Sequence, residues 1–238
     1  MSIFASVFLM SNDYFRFKQF TVHQSRCAMK VGTDGVLLGA WANGGQRILD
    51  IGTGTGLIAL MMAQRFPSSD VVGIDIDEEA CIQAQENVSA SPYHRVTINC
   101  TDVRTLEGCF DSVVSNPPYF EASLLCPDEQ RTLARHTVTL RYRELVNSVW
   151  HLLDNQGEFS VVIPVTSKSR MESEAALVGF FKARECLIKT TPRKAPKRCL
   201  LAFRKHLPIS VEHTVGILQE SPNVLSEWYH SLTRDFYL

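Results

Sequence analysis

The chain has 238 residues, enough for one large domain or two small ones, and a formal net charge of −1. With 45% hydrophobic and 21% charged residues its composition is ordinary globular, so overall charge marks no nucleic-acid binder and any such surface must be local. Seven cysteines (27, 81, 100, 109, 126, 186 and 199) contain no Cys-x-x-Cys pair, which argues against a disulfide framework or a zinc site and suits a reducing cytoplasm.

Ile3 to Met10 is apolar, but it is too short for a membrane span, and no basic residue or small-residue cleavage site marks a signal peptide. Residues 1–10 are expected to be disordered, or an upstream extension if Met10 is the start. Tyr14, Phe15, Phe17 and Phe20 alternate with Arg16 and Lys18, an arm that could stack bases or pack on the domain. Between Met29 and Trp41 a helix is expected, with Thr33 or Asp34 as N-cap and Val36, Leu37, Ala40 and Trp41 as its apolar face; Gly44-Gly45 ends it.

Strands and helices then alternate. Arg47–Ile51, Val71–Asp75, Val96–Cys100 and Phe110–Ser115 read as strands. Gly56–Phe66 and Asp77–Ser89 read as helices, the first stopped by Pro67 and the second carrying acids in its first turn. A helix near Tyr142–Leu153, a strand Glu158–Ile163 closed by Pro164 and a helix at about Ser169–Phe181 follow. Extended runs at about Arg184–Thr190 and Arg198–Phe203 make a C-terminal hairpin. The alternation predicts a doubly wound, mainly parallel sheet with its ligands at the carboxyl ends of the strands. No linker or repeat divides the chain, so one domain over 1–238 is expected.

Asp50-Ile51-Gly52-Thr53-Gly54-Thr55-Gly56 follows the first strand and opens a helix. A dinucleotide fingerprint needs a glycine where Leu57 stands. The loop D-x-G-x-G-x-G instead resembles motif I of class I, Rossmann-like methyltransferases that use S-adenosylmethionine. That resemblance implies a seven-stranded sheet, a methionine moiety lying over Gly52, Gly54 and Gly56, and an ammonium end oriented by Asp50. Asp75, ending the second strand, can accept both ribose hydroxyls, with Ile76 packing on the adenine. By resemblance Asp102 meets the adenine amine, with Val103 beside it. Each acid alone also suits a helix N-cap; three at successive strand ends behind a glycine loop make the cofactor reading. No metal is implied.

The fourth strand ends in Asn116-Pro117-Pro118-Tyr119. Two prolines stop the strand and stiffen its end, presenting an amide, a free carbonyl and an aromatic ring. Asn116 and Pro117 can accept both N–H bonds of an exocyclic amine while Tyr119 covers the ring, base–aromatic stacking contributing about 1–3 kcal/mol. The tetrapeptide matches motif IV of amino-methyltransferases acting on adenine, guanine or glutamine amide, so it fixes the reaction better than the substrate.

Wider similarity narrows the choice. Phe17–Phe20, Arg26–Gly35, Leu38–Ala42, Gln83–Asn87, Ser115–Tyr119, Leu200–Phe203 and Phe236–Leu238 resemble the bacterial tRNA1(Val) adenine N6-methyltransferases, which modify adenine 37. This implies that residues 11–46 lie over the cofactor site, with Lys30, Thr33 and Asp34 near the methionine end; a helix-start capping cluster is the alternative for those three. Residues 182–205 hold nine Lys or Arg against one acid, Glu185. Arg193, Lys194, Lys197 and Arg198 there, and Arg135 after the NPPY loop, are the expected contacts to the anticodon arm, against solvated surface charge as the alternative. Rival substrates are release-factor glutamine and ribosomal guanine N2. The glutamine enzymes usually carry a helical domain before the cofactor fold, and only 49 residues precede Asp50 here. A non-catalytic RNA-binding module would not need Asp50, Asp75, Asp102 and Asn116 intact.

Overall fold

The computed structural model describes residues 13–27, 29–118 and 140–237, so Tyr119 and Arg135 lie outside the described residues. Strands β1 (Tyr14–Arg16) and β2 (Thr21–His23) form an antiparallel ribbon, followed by helix α1 (Thr33–Trp41). Neither Thr33 nor Asp34 caps α1: Gly32 is its N-cap, and Asp34 instead accepts from Arg198 Nε at 2.7 Å. Nor has α1 a single apolar face. Gly35 to Ala40 are all buried, because the helices Leu57–Arg65 and Glu227–Thr233 and the strand Leu153–Pro164 surround the helix.

The alternating half follows the sequence closely: β3 (Arg47–Ile51), α2 (Leu57–Arg65), β4 (Asp70–Asp75), α3 (Glu78–Ser89), β5 (Val96–Cys100), a 3-10 turn (Val103–Thr105) and β6 (Phe110–Ser115). Asp77 caps α3, accepting from Glu79 N at 3.0 Å. Helix α4 (Tyr142–Leu152) passes straight into β7 (Leu153–Pro164), which therefore starts earlier than Glu158. Helix α5 (Lys168–Val178) stops short of Phe181 because Gly179, at φ 108°, makes a left-handed cap and its N–H returns to the Ala175 and Ala176 carbonyls. Phe181 thus opens β8 (Phe181–Lys189), which pairs with β9 (Arg198–Arg204) as an antiparallel hairpin.

Beyond Phe203 the alternation announces nothing, yet β10 (Glu212–Ile217), β11 (Gln219–Ser221), β12 (Val224–Leu225) and α6 (Glu227–Thr233) follow. Strand β10 adds parallel to β8, so the sheet has eight strands, ordered β10-β8-β9-β7-β6-β3-β4-β5, with only β9 reversed. A polar edge strand of Glu212-His213-Thr214 carries no alternating apolar signal.

One core lies under α1, α2 and α6, with Leu37, Leu60, Met61 and Val162 buried; the other lies under α4 and α5, with Leu145, Phe159, Met171 and Phe203. Each such side chain stabilises the fold by about 1.5–3 kcal/mol. The aromatic arm meets Phe236-Tyr237 on the first face. Tyr237 stacks on Phe17 with centroids 5.9 Å apart, and Lys18 N donates to Phe236 O at 2.8 Å. Among the described residues no helix is long and apolar enough to cross a membrane.

From β3 the chain winds outward to β5, then returns to β6 on the other flank of β3. Ligands of such sheets bind at that reversal, beyond the carboxyl ends of the strands.

Candidate active site

The reversal places two turns side by side. Ile51 and Ser115 are Cα partners at the ends of β3 and β6, and the Ser115 hydroxyl donates to Ile51 O at 2.9 Å. The glycine loop and Asn116-Pro117 therefore leave neighbouring strands about 5 Å apart. Asn116 is half-buried, Pro117 buried and Pro118 exposed.

Gly52, Gly54 and Gly56 have φ of 71°, 54° and 80°, the left-handed region that favours glycine. The Gly52 and Thr53 N–H groups both donate to Ile74 O at 2.9 Å, which ties the loop to β4. A Cβ at Gly52 would meet nothing within 4 Å, so the loop faces open space there. Behind it Asp50 is wholly buried; its Oδ2 accepts from Thr53 Oγ1 at 2.7 Å and Ala59 N at 3.1 Å. Its Oδ1 is buried with no hydrogen-bond partner. Burial pushes the carboxyl up to about 7, opposed by the Thr53 and Ala59 bonds and reinforced by the Asp75 charge. A buried oxygen of this kind suits an ammonium group.

Asp75 closes β4 with one bond to each oxygen, Gly54 N to Oδ2 at 2.9 Å and Asp77 N to Oδ1 at 3.1 Å. Both oxygens keep lone pairs for hydroxyl donors. The Ile76 side chain beside it is 49% exposed, an apolar platform next to a carboxylate. Asp102 begins the 3-10 turn and accepts from Arg104 N at 2.9 Å; Arg104 also covers its carboxylate, with Nε 3.0 Å from Oδ1 and 2.9 Å from Oδ2. These hydrogen bonds hold the Asp102 carboxyl below the usual range. Val103 is buried in the second core. Register aligns the three acids, since Ile51 pairs with Ile74 and Asp75 with Cys100, so they stand at adjacent strand ends.

The N-terminal segment is clipped onto this edge. Asn87 on α3 accepts from His23 N at 2.8 Å and donates to His23 O and Thr55 O, both at 2.8 Å. Gln83, one turn earlier, accepts from Arg26 N at 3.3 Å, and Gln24 Oε1 accepts from Val31 N at 2.7 Å. Met29 lies on the acceptor tip, its Sδ 3.7 Å from Asn116 Nδ2. Lys30 and Thr33 are exposed nearby, and Asp34 sits at the start of α1, whose Gly35 packs on Leu57 of α2. The polar pair Gln83 and Asn87, buried at helical i, i+4 spacing, is the signal that could have exposed this clip; nothing in the sequence placed Met29 on Asn116 or Arg104 on Asp102.

The basic hairpin divides in two. Arg193, Lys194 and Lys197 are exposed in the β8–β9 turn, at the same sheet edge as Asn116, where Arg198 pairs with Pro164 of β7. At the other end Lys182 binds Glu172 and Glu185, each at 2.6 Å, and Lys205 donates to Leu153 O. Arg184 lies 3.8 Å over the Trp41 ring, and Arg204 is bound to Glu158. Four of the nine cations are thus structural. Arg198 belongs to the active edge but is paired with Asp34.

A model of the methyltransferase small domain matches residues 25–192. Over 234 residues the chain is 49% identical to a tRNA1(Val) (adenine(37)-N6)-methyltransferase of Phocaeicola vulgatus, covering 96% of this chain and 99% of that one. It is 45% identical to the protein of that name in Bacteroides thetaiotaomicron, at the same coverage, and 43% identical to that of Mannheimia succiniciproducens, covering 94% of each. The chain belongs to this methyltransferase family. A predicted O-methyltransferase of Agrobacterium tumefaciens superposes with a TM-score of 0.67 at 17% identity, over 85% of this chain and 96% of that one, which shows the class I methyltransferase fold alone. In a chain of this family, two blocks of resemblance acquire structural reasons here. Gln83–Asn87 holds the N-terminal segment, and Phe236-Tyr237 packs against its aromatic arm.

Proposed function

We propose that this protein transfers a methyl group from S-adenosylmethionine to the N6 amine of adenine 37 in tRNA1(Val), in the cytoplasm. The observation that carries the reading is the pairing of Ile51 with Ser115, which sets a glycine loop backed by the buried Asp50 next to Asn116-Pro117. The relatives' name supplies the base and the tRNA.

The cofactor fits the residues present: the unpartnered Asp50 Oδ1 for its ammonium, Asp75 for its ribose, Ile76 and Asp102 for its adenine, and open space over Gly52. Lys30, Thr33 and Asp34 border its methionine end. When bound, it supplies an electrophilic sulfonium methyl. The chain's own residues do the rest by positioning. The Asn116 amide oxygen and the Pro117 carbonyl accept the two N–H bonds of the target amine, turning its lone pair toward the glycine loop. Tyr119 stacks on the base. No strong general base is required, because the proton leaves an already methylated, far more acidic nitrogen; orientation supplies most of the acceleration. A base in a loop is unstacked at a cost of a few kcal/mol, which favours the anticodon loop over a duplex. Arg193, Lys194, Lys197, Arg198 and Arg135 contact its phosphates.

The test is methyl transfer from labelled cofactor to unmodified tRNA and, separately, to purified release factor. N6-methyladenosine at position 37 is the expected product. Label in protein and none in RNA overturns the reading.

A further inference from the structure

Arg104 is the residue of the active edge that no motif accounts for. It follows Asp102 by two positions, on the 3-10 turn after β5, and its guanidinium grips both Asp102 oxygens through Nε and Nη2 while the backbone N–H adds a third donor. A carboxylate offers about four lone-pair sites, and these three donor hydrogens occupy most of them. A ligand amine arriving at Asp102 then competes with Arg104 for the carboxylate. A second carboxylate already waits for the guanidinium. Glu144 Oε1 lies 3.4 Å from Arg104 Nη1, while its Oε2 accepts from Arg141 N at 2.9 Å at the start of α4. Helix α4 is where the chain re-enters the described structure after the segment that begins at the Asn116 tip, and Arg141 and Arg143 there are exposed.

We infer that Arg104 is a coupling residue shared between two carboxylates: it competes with the cofactor's adenine amine for Asp102 and shifts toward Glu144, which it already touches, when that amine takes Asp102. The inference rests on the reading that Asp102 receives that amine. Cofactor occupancy is then communicated to the first turn of α4, on the RNA-facing edge. Both ion pairs lie at a part-exposed surface, where solvent screening weakens them, so a ligand that takes up Asp102 can shift the balance between them. Linkage makes the effect reciprocal: RNA that favours the Glu144 position tightens the cofactor by the factor by which the cofactor tightens RNA.

The experiment measures S-adenosylhomocysteine affinity by calorimetry, with and without the tRNA1(Val) anticodon stem-loop, for wild type, Arg104→Ala, Arg104→Lys, Glu144→Gln and Asp102→Asn. Wild type should bind the product cofactor about five-fold more tightly when RNA is present. Arg104→Ala should bind it a few-fold more tightly than wild type without RNA, because the competitor is gone, and should show no RNA effect. Arg104→Lys, which keeps the charge but cannot grip Asp102 bidentately, should retain part of the coupling; Glu144→Gln should lose most of it. Weaker cofactor binding by Arg104→Ala, or an RNA effect unchanged in it, overturns the inference while leaving the site reading intact if Asp102→Asn weakens the cofactor. Unchanged affinity in Asp102→Asn removes the adenine contact and the inference with it.

Discussion

The cofactor half and the acceptor half of the edge are built in opposite ways. Around Gly52–Gly56 the chain satisfies its own polar groups apart from Asp50 Oδ1, with Gly54 on Asp75, Thr53 on Asp50, and Asn87 bridging His23 and Thr55. At the end of β6 two prolines stiffen the backbone, and the Asn116 amide nitrogen lies 3.7 Å from the Met29 thioether, a weak acceptor. One half is held together by bonds within the chain; on the function proposed above, the other receives the target base. The acceptor side also carries the charge, since Arg193, Lys194 and Lys197 stay exposed while the cations at the far end of the same hairpin are bound into the fold.

This contrast can be broken by mutation. Asn116→Ala should lower kcat by about 10²–10³-fold, as removal of a positioned polar group does, with product-cofactor affinity within a few-fold of wild type. A collapse of that affinity would make Asn116 part of the cofactor half. Asp75→Ala should do the reverse, weakening the cofactor by about 10²–10⁴-fold, because two bonds to a charged group contribute about 1.5–3 kcal/mol each. Titration by calorimetry separates the two patterns.

Reversing Arg193, Lys194 and Lys197 to Glu should weaken tRNA binding by at least about ten-fold and flatten its salt dependence by about 0.7–0.9 per lost phosphate contact. Lys182→Glu and Lys205→Glu at the other end should cost stability and leave that slope unchanged. Equal slopes for both sets would assign RNA binding to neither end.

Two further changes sharpen the description of the preformed half. Asp50 has a folded pKa of about 7 against an ordinary 3.8, so the folded state holds its proton more tightly than the unfolded one. Stability of the ligand-free protein therefore falls as pH rises from about 4 to about 7, by up to about 4 kcal/mol, and Asp50→Asn should flatten that slope in thermal melts. Cofactor binding near pH 6 should also release a proton, visible as a dependence of binding heat on buffer. Asn87→Ala should lower Tm by several degrees, since three hydrogen bonds at about 1 kcal/mol each hold the N-terminal segment and each kcal/mol moves a chain of this size by about 2–4 °C.

Much of this edge was legible in the residues. Regular alternation from Arg47 to Ser115 gives strand ends directly, so Asp50, Asp75, Asp102 and Asn116 follow from chain order plus register. Contacts between distant segments are not written in periodicity: Met29 on Asn116, Asp34 on Arg198 and Arg104 on Asp102 depend on how loops fold back. The same is true of β10, whose polar, exposed residues pair only because β8 offers an edge. Counting charge along the hairpin overstates how many of its cations stand unpaired by acids, because sequence cannot say which of them meet Glu158, Glu172 or Glu185.

The most direct test is a crystal structure of the protein with S-adenosylhomocysteine and an anticodon stem-loop. The account predicts the cofactor sulfur facing the Asn116 amide and Pro117 carbonyl across the gap between β3 and β6, with the adenine 37 amine bonded to both. A sulfur turned away from that gap, or a target amine held elsewhere, would contradict it.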